Sequence, residues 1–207
     1  MSYTCDVFVS YRNKGEMGDW VRHTLVPLLR DFLHEAGVPD PNLFVDAQVD
    51  DGQHWPTEIS SAHHGAKVHL LVVSEPYWLS KWCVSEAIGA FLRDDKRHPH
   101  PSIFVVRFND LDTSTEARQR LDKLMPGLAD LVHGVQRRDL ENFIGLDLRY
   151  HRARLDMPDF FKELRSFAKN MAPSILNPRP LREDVPPLPP ISIPPAPPMY
   201  ATFGART

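Results

Sequence analysis

One acidic side chain stands out by its setting. Glu86 lies in the segment WCVSE, within a stretch patterned as a helix. Three, four and seven residues before it stand Cys83, Trp82 and Leu79; three and four after it stand Gly89 and Ala90. Residues at these spacings share one helical face, so Glu86 sits on or beside an apolar stripe. A carboxylate is costly to desolvate there unless it has a partner or a task. The partner could be Arg93 on the same helix or Arg12 elsewhere in the chain.

Other chemistries lack their residues. The chain has no GxGxxG, no GxxxxGK, no GxSxG elbow and no HExxH, which argues against a Rossmann dehydrogenase, a P-loop enzyme, a serine hydrolase of that type or a zinc protease. His63 and His64 are adjacent, so on a helix they point about 100° apart. With no third ligand nearby, they read as surface histidines and no metal site is expected. Cys5 and Cys83 are the two cysteines; they make neither a disulfide framework nor a zinc cluster, which fits a reducing compartment. The basic run RYHRAR at Arg149–Arg154 reads as a solvated loop.

The elements that must position Glu86 follow from periodicity. With 207 residues, 42% of them hydrophobic and 25% charged, the chain suffices for one α/β domain with a real core. A net charge of −3 argues against nucleic-acid binding through phosphate contacts. The opening MSYTCD is no signal-peptide pattern, and the longest apolar run, Val68–Val73 broken by His69, is too short to span a bilayer. A soluble, cytoplasmic protein with no membrane contact is therefore expected.

Short apolar runs at Cys5–Tyr11, Asn42–Asp46, Lys67–Ser74, Ser102–Phe108 and Phe143–Leu148 predict five strands. Between them, helical periodicity predicts a helix carrying Val21, Leu25, Leu29 and Leu33 on one face, a short helix over Thr57–Ala66, a long one over Glu75–Arg97, another over Thr115–Leu124 and a closing one over Pro158–Met171. Pro27 conflicts with the first of these, since it should kink it. Ser74 is a plausible N-cap of the long helix, with Pro76 in its first turn. Strands alternating with helices imply a parallel, helix-covered sheet, with any pocket at the carboxyl ends of the strands.

These residues also carry a resemblance. DVFVSYR at Asp6–Arg12, LFVD at Leu43–Asp46 followed by Gly52 and Trp55, and SEPYWLSKWCVSE at Ser74–Glu86 are together similar to the TIR (Toll/interleukin-1 receptor) domain family. The third segment resembles the family pattern S-P-x-Y-x-x-S-x-W-C-x-x-E. The resemblance implies a flavodoxin-like α/β fold, a five-stranded parallel sheet with helices on both faces, over residues 1–172. It also implies one of two activities. Many family members cleave NAD+ at the nicotinamide–ribose bond, and Glu86 stands where their glutamate does. Others are non-catalytic scaffolds that act by homotypic TIR–TIR association.

The catalytic reading needs only a modest site, because the nicotinamide of NAD+ leaves without protonation; ordinary glycosides need two carboxylates. NAD+ would be a substrate, and no bound cofactor is expected. The resemblance implies supporting roles: Trp82 for stacking on an NAD ring, Tyr11 and Arg12 for adenine and diphosphate, Asp46 for a hydroxyl, and Gly52 and Trp55 in the BB loop, which acts as a lid. A flavodoxin-like phosphoacceptor is a weaker reading, since SYRN at Ser10–Asn13 supplies no acidic pocket. The enzyme is the expectation: a bacterial immune or anti-phage effector, completed by self-association and triggered by a partner or signal outside this chain.

Eleven of the 20 prolines follow Ala172, so residues 173–207 read as a proline-rich tail or linker, in polyproline II or disordered.

Overall fold

The computed structural model describes residues 2–45, 57–94, 98–108, 115, 119, 145–148 and 157–181. Five strands, β1 (Cys5–Tyr11), β2 (Leu43–Val45), β3 (Ala66–Val73), β4 (Ile103–Arg107) and β5 (Gly145–Asp147), form one sheet in the order β2-β1-β3-β4-β5. Every pairing is parallel. This is the doubly wound order in which the chain turns outward in both directions from β1 and β3. The crevice such a fold offers lies beyond the carboxyl ends of those two strands.

Alternation along the strands divides the core. Val7, Val9 and Tyr11 of β1, Val68, Leu70 and Val72 of β3, and Phe104 and Val106 of β4 pack with Leu25, Leu29, Leu33, Leu164 and Met171. These helical residues belong to a π turn (Val21–Leu25), α2 (Val26–Glu35) and the long C-terminal helix α6 (Met157–Leu176). The intervening strand residues turn the other way. Leu71, Val73, Ile103 and Val105 meet α4 (Glu75–Trp78) and α5 (Lys81–Arg93), while Cys5 and Phe8 meet α3 (Thr57–His64). Both faces are thus covered, and β3 is apolar almost throughout for that reason.

Three departures from the expected elements have local causes. The helix expected across Val21–Ala36 begins earlier as α1 (Gly15–Trp20) and continues beyond Pro27 to Glu35. It passes through the π turn, in which the Val26 N–H bonds to the Val21 carbonyl, and restarts with Pro27 in its first turn, where no amide donor is needed. The helix expected over Glu75–Arg97 is broken. Ser74 caps α4 by accepting the Tyr77 N–H at 3.2 Å, Ser80 then takes extended backbone, and α5 starts afresh. The closing helix runs to Leu176, past its expected end. Of the helix expected over 115–124, Thr115 and Gln119 are described, and both are helical.

Close approach fixes two corners. The Gly65 carbonyl accepts from the Thr4 N–H at 2.9 Å, and a Cβ on residue 65 would stand 2.5 Å from Thr4 Oγ1. Beyond α6 the chain folds back: the Tyr3 hydroxyl donates to the Arg179 carbonyl, and the Arg179 guanidinium donates to the Arg93 carbonyl at the foot of α5. Residues 182–207, which hold most of the expected proline-rich tail, lie outside the described residues.

Candidate functional site

Ser10 is the last residue of β1 whose side chain faces the α4–α5 layer. Its hydroxyl donates to Glu86 Oε2, and its Oγ lies 2.8 Å from the Tyr77 hydroxyl. A serine has one hydroxyl proton, and that of Ser10 goes to Glu86. The order of the chain is therefore fixed: Tyr77 donates to Ser10, and Ser10 donates to Glu86. Glu86 is 7% exposed and Tyr77 is fully buried.

The break between α4 and α5 makes this convergence possible. On one unbroken helix Tyr77 and Glu86, nine positions apart, would be separated by about two and a half turns and face opposite ways. The extended backbone at Ser80 re-aims α5, so both side chains reach one serine.

The surroundings set protonation. Burial first, then the neighbouring Cys83 and Glu86, hold the Tyr77 hydroxyl well above the usual phenol range, so it remains a donor. Cys83 is raised by burial and then by Glu86, and its thiol donates to the Tyr11 carbonyl at 3.5 Å. A thiol held in this way is no nucleophile. The charge of Arg12, just past β1, acts on Cys83 in the opposite direction, lowering it.

The expected site residues fall into three groups. Glu86 is buried, Trp82 is half-buried one turn before it, and Arg12 is half-buried just past β1. Tyr11 is different: its side chain packs in the core on the opposite face and hydrogen-bonds Arg22. Period-two alternation puts Ser10, not Tyr11, beside Glu86. Asp46, Gly52 and Trp55 lie outside the described residues.

Of the paired histidines, His64 is half-buried and His63 is not on the surface. His63 is 1% exposed, and Arg93, an expected partner of Glu86, turns its Nη1 to His63 Nδ1 at 2.6 Å and its Nη2 to His64 Nδ1 at 2.8 Å. Burial, followed by Arg93, pushes His63 down to about 3, so its ring is neutral. His69 on β3 is held well below its ordinary value, first by burial and then by His63. Among the described residues no group of three or more acidic, histidine or cysteine side chains could hold a metal ion, and no helix is long and apolar enough to cross a membrane.

Comparison with known proteins identifies the family. Residues 7–144 match the family model described as TIR domain. Among solved structures, the chain is similar to the TIR domains in a structure of the activated Roq1 resistosome directly recognizing the pathogen effector XopQ. The identity is 23%, the match covers 80% of this chain and 98% of that one, and the TM-score is 0.49. No curated protein matches the chain. The family match spans the strands that bring Ser10, Tyr77 and Glu86 together and more than half of the sequence, and this chain belongs to the TIR domain family.

Proposed function

We propose that this TIR domain is an NAD+ glycohydrolase with Glu86 as its catalytic carboxylate. The observation that carries the reading is a buried carboxylate at the carboxyl end of β1, oriented by Ser10 and Tyr77. As the bond between the ribose C1′ and the nicotinamide nitrogen breaks, its electron pair returns to the ring, which departs neutral. Positive charge develops on the ribose, and a preorganised carboxylate stabilises it. Water adds at C1′ and releases a proton, giving ADP-ribose; capture of C1′ by a nucleophilic atom of the same ADP-ribosyl unit, with loss of a proton where that atom carries one, gives a cyclic form instead. In this reading Trp82 stacks on a ring of the substrate and Arg12 meets its diphosphate.

In this reading NAD+ is the substrate, and homotypic TIR–TIR association completes the site in an immune or anti-phage effector. The test is nicotinamide release from NAD+ by protein whose assembly is verified by light scattering, with crowding agent used to drive it. Glu86→Ala should lower the rate by roughly 100- to 1,000-fold, the scale of a lost preorganised stabilising group. Chromatography of the second product separates hydrolysis from cyclisation. Assembled protein that releases no nicotinamide overturns the reading and leaves a scaffold.

A further inference from the structure

We propose that His63 is a positioning residue for Glu86, holding it through the backbone by a hydrogen bond from its imidazole to the Glu86 carbonyl. The inference rests on the catalytic reading of Glu86 but uses a contact that reading does not need.

His63 lies in the last turn of α3, a helix outside the α4–α5 unit that carries Tyr77 and Glu86. Its Nε2 stands 2.9 Å from the carbonyl oxygen of Glu86. A carbonyl can only accept, so Nε2 must carry the proton. The other ring nitrogen confirms the tautomer independently. Arg93 Nη1 lies 2.6 Å from His63 Nδ1, and a guanidinium can only donate, so Nδ1 is the bare acceptor.

Arg93 holds the ring from its other side as well, donating to the His63 carbonyl at 2.9 Å. The same carbonyl takes His69 Nε2 from β3 at 2.9 Å. The edge of the ring meets Phe8 of β1, with centroids 4.9 Å apart and planes at 82°. His63 is thus fixed by β1, β3 and α5 before it reaches Glu86.

The consequence is geometric. Ser10 grips the carboxylate of Glu86 and His63 grips its carbonyl, one residue held at both ends from two different elements. Together they set both the axial position of α5 and its rotation at that turn. A catalytic group misplaced by about 1 Å can lose on the order of 100-fold in rate. Binding groups elsewhere on the substrate would be unaffected, so the loss falls on kcat and not on KM.

The test uses the full chain and three proteins: wild type, H63Q and H63N. Glutamine places an amide donor near the position of Nε2; asparagine mimics Nδ1 and drops that donor. With assembled protein and NAD+, H63N should lower kcat by roughly 10- to 100-fold at unchanged KM, and H63Q should recover most of it. H63N at wild-type kcat, or H63Q as impaired as H63N, overturns the proposal. If H63N does not fold, the imidazole 15N spectrum of the wild type decides. A proton on Nε2 supports the assignment, and a proton on Nδ1 overturns it. If the wild type releases no nicotinamide, the 13Cδ resonance of Glu86 separates the two readings: displaced in H63N and restored in H63Q, it supports the positioning role while the hydrolase reading falls. Left unchanged in both variants, it overturns the role.

Discussion

On the α2–α6 side of the sheet, Leu29, Leu33, Leu164 and Met171 meet Val9, Leu70, Val72 and Phe104. Among the described residues of those two helices, Ser174 is the one buried polar side chain. On the α3–α5 side the same strands present Ser10 and His69, and the helices answer with Glu86, His63 and Arg93. One face is held by apolar contact, which is non-directional and tolerant of which atoms meet. The other is held partly by matched donors and acceptors, where one unmade bond to a buried group costs about 1–3 kcal/mol. The directional face is the one that can aim a carboxylate.

That contrast can be broken by experiment. The largest expected effect is on the apolar side. Leu164→Ala should lower stability by about 2.7–5 kcal/mol in urea unfolding, with an unchanged m-value. Activity per folded molecule should stay at the wild-type level. A cost below about 1 kcal/mol would mean that this face is not the main source of stability.

Acid probes the polar side. His63 is neutral down to about 3 when folded, and His69 is also held well below its ordinary value. Both bind a proton in the unfolded chain below about 6.5. The unfolded state then holds more protons, so this stability is complete above pH 6.5 and is lost as the pH falls. The two histidines should together cost about 3 kcal/mol between pH 7.5 and 5.5, since each contributes about 1.4 kcal/mol per unit. His64, also lowered, acts with the same sign. Urea midpoints across that range measure the slope. H63N should flatten it and Leu164→Ala should not, and equal slopes in all three proteins would contradict the neutral buried imidazole.

The smallest effect sharpens the comparison at the α4 start. Ser74→Ala removes the cap that accepts the Tyr77 N–H, at a cost of about 1 kcal/mol. Because that short helix aims Tyr77 at Ser10, nicotinamide release should also fall, in contrast to the apolar-face variant. A thermal melt and the NAD+ assay on the same sample would show whether the two losses occur together.

Much of this molecule is local information. Alternating strand and helix periods, the continuous apolar run of β3 and the Ser74 cap are each written in a few neighbouring residues, so the doubly wound fold was legible. So was Glu86, because a carboxylate on an apolar stripe is a conflict visible at i−3, i−4 and i−7. Ser10 was legible in principle: strand alternation puts it opposite Tyr11, and assigning Tyr11 to the site overlooked that.

What surrounds Glu86 was decided by contacts between residues far apart in the chain. His63 read as a surface residue because nothing within a few positions says that Arg93 closes over it. The helix break at Ser80 was hidden because the apolar period runs on across it. Only packing against the sheet rewards turning Tyr77 and Glu86 toward one serine. Sequence spacing determines which residues share a face; a matched hydrogen bond between two elements depends on where both are placed, and that exists only in the folded chain.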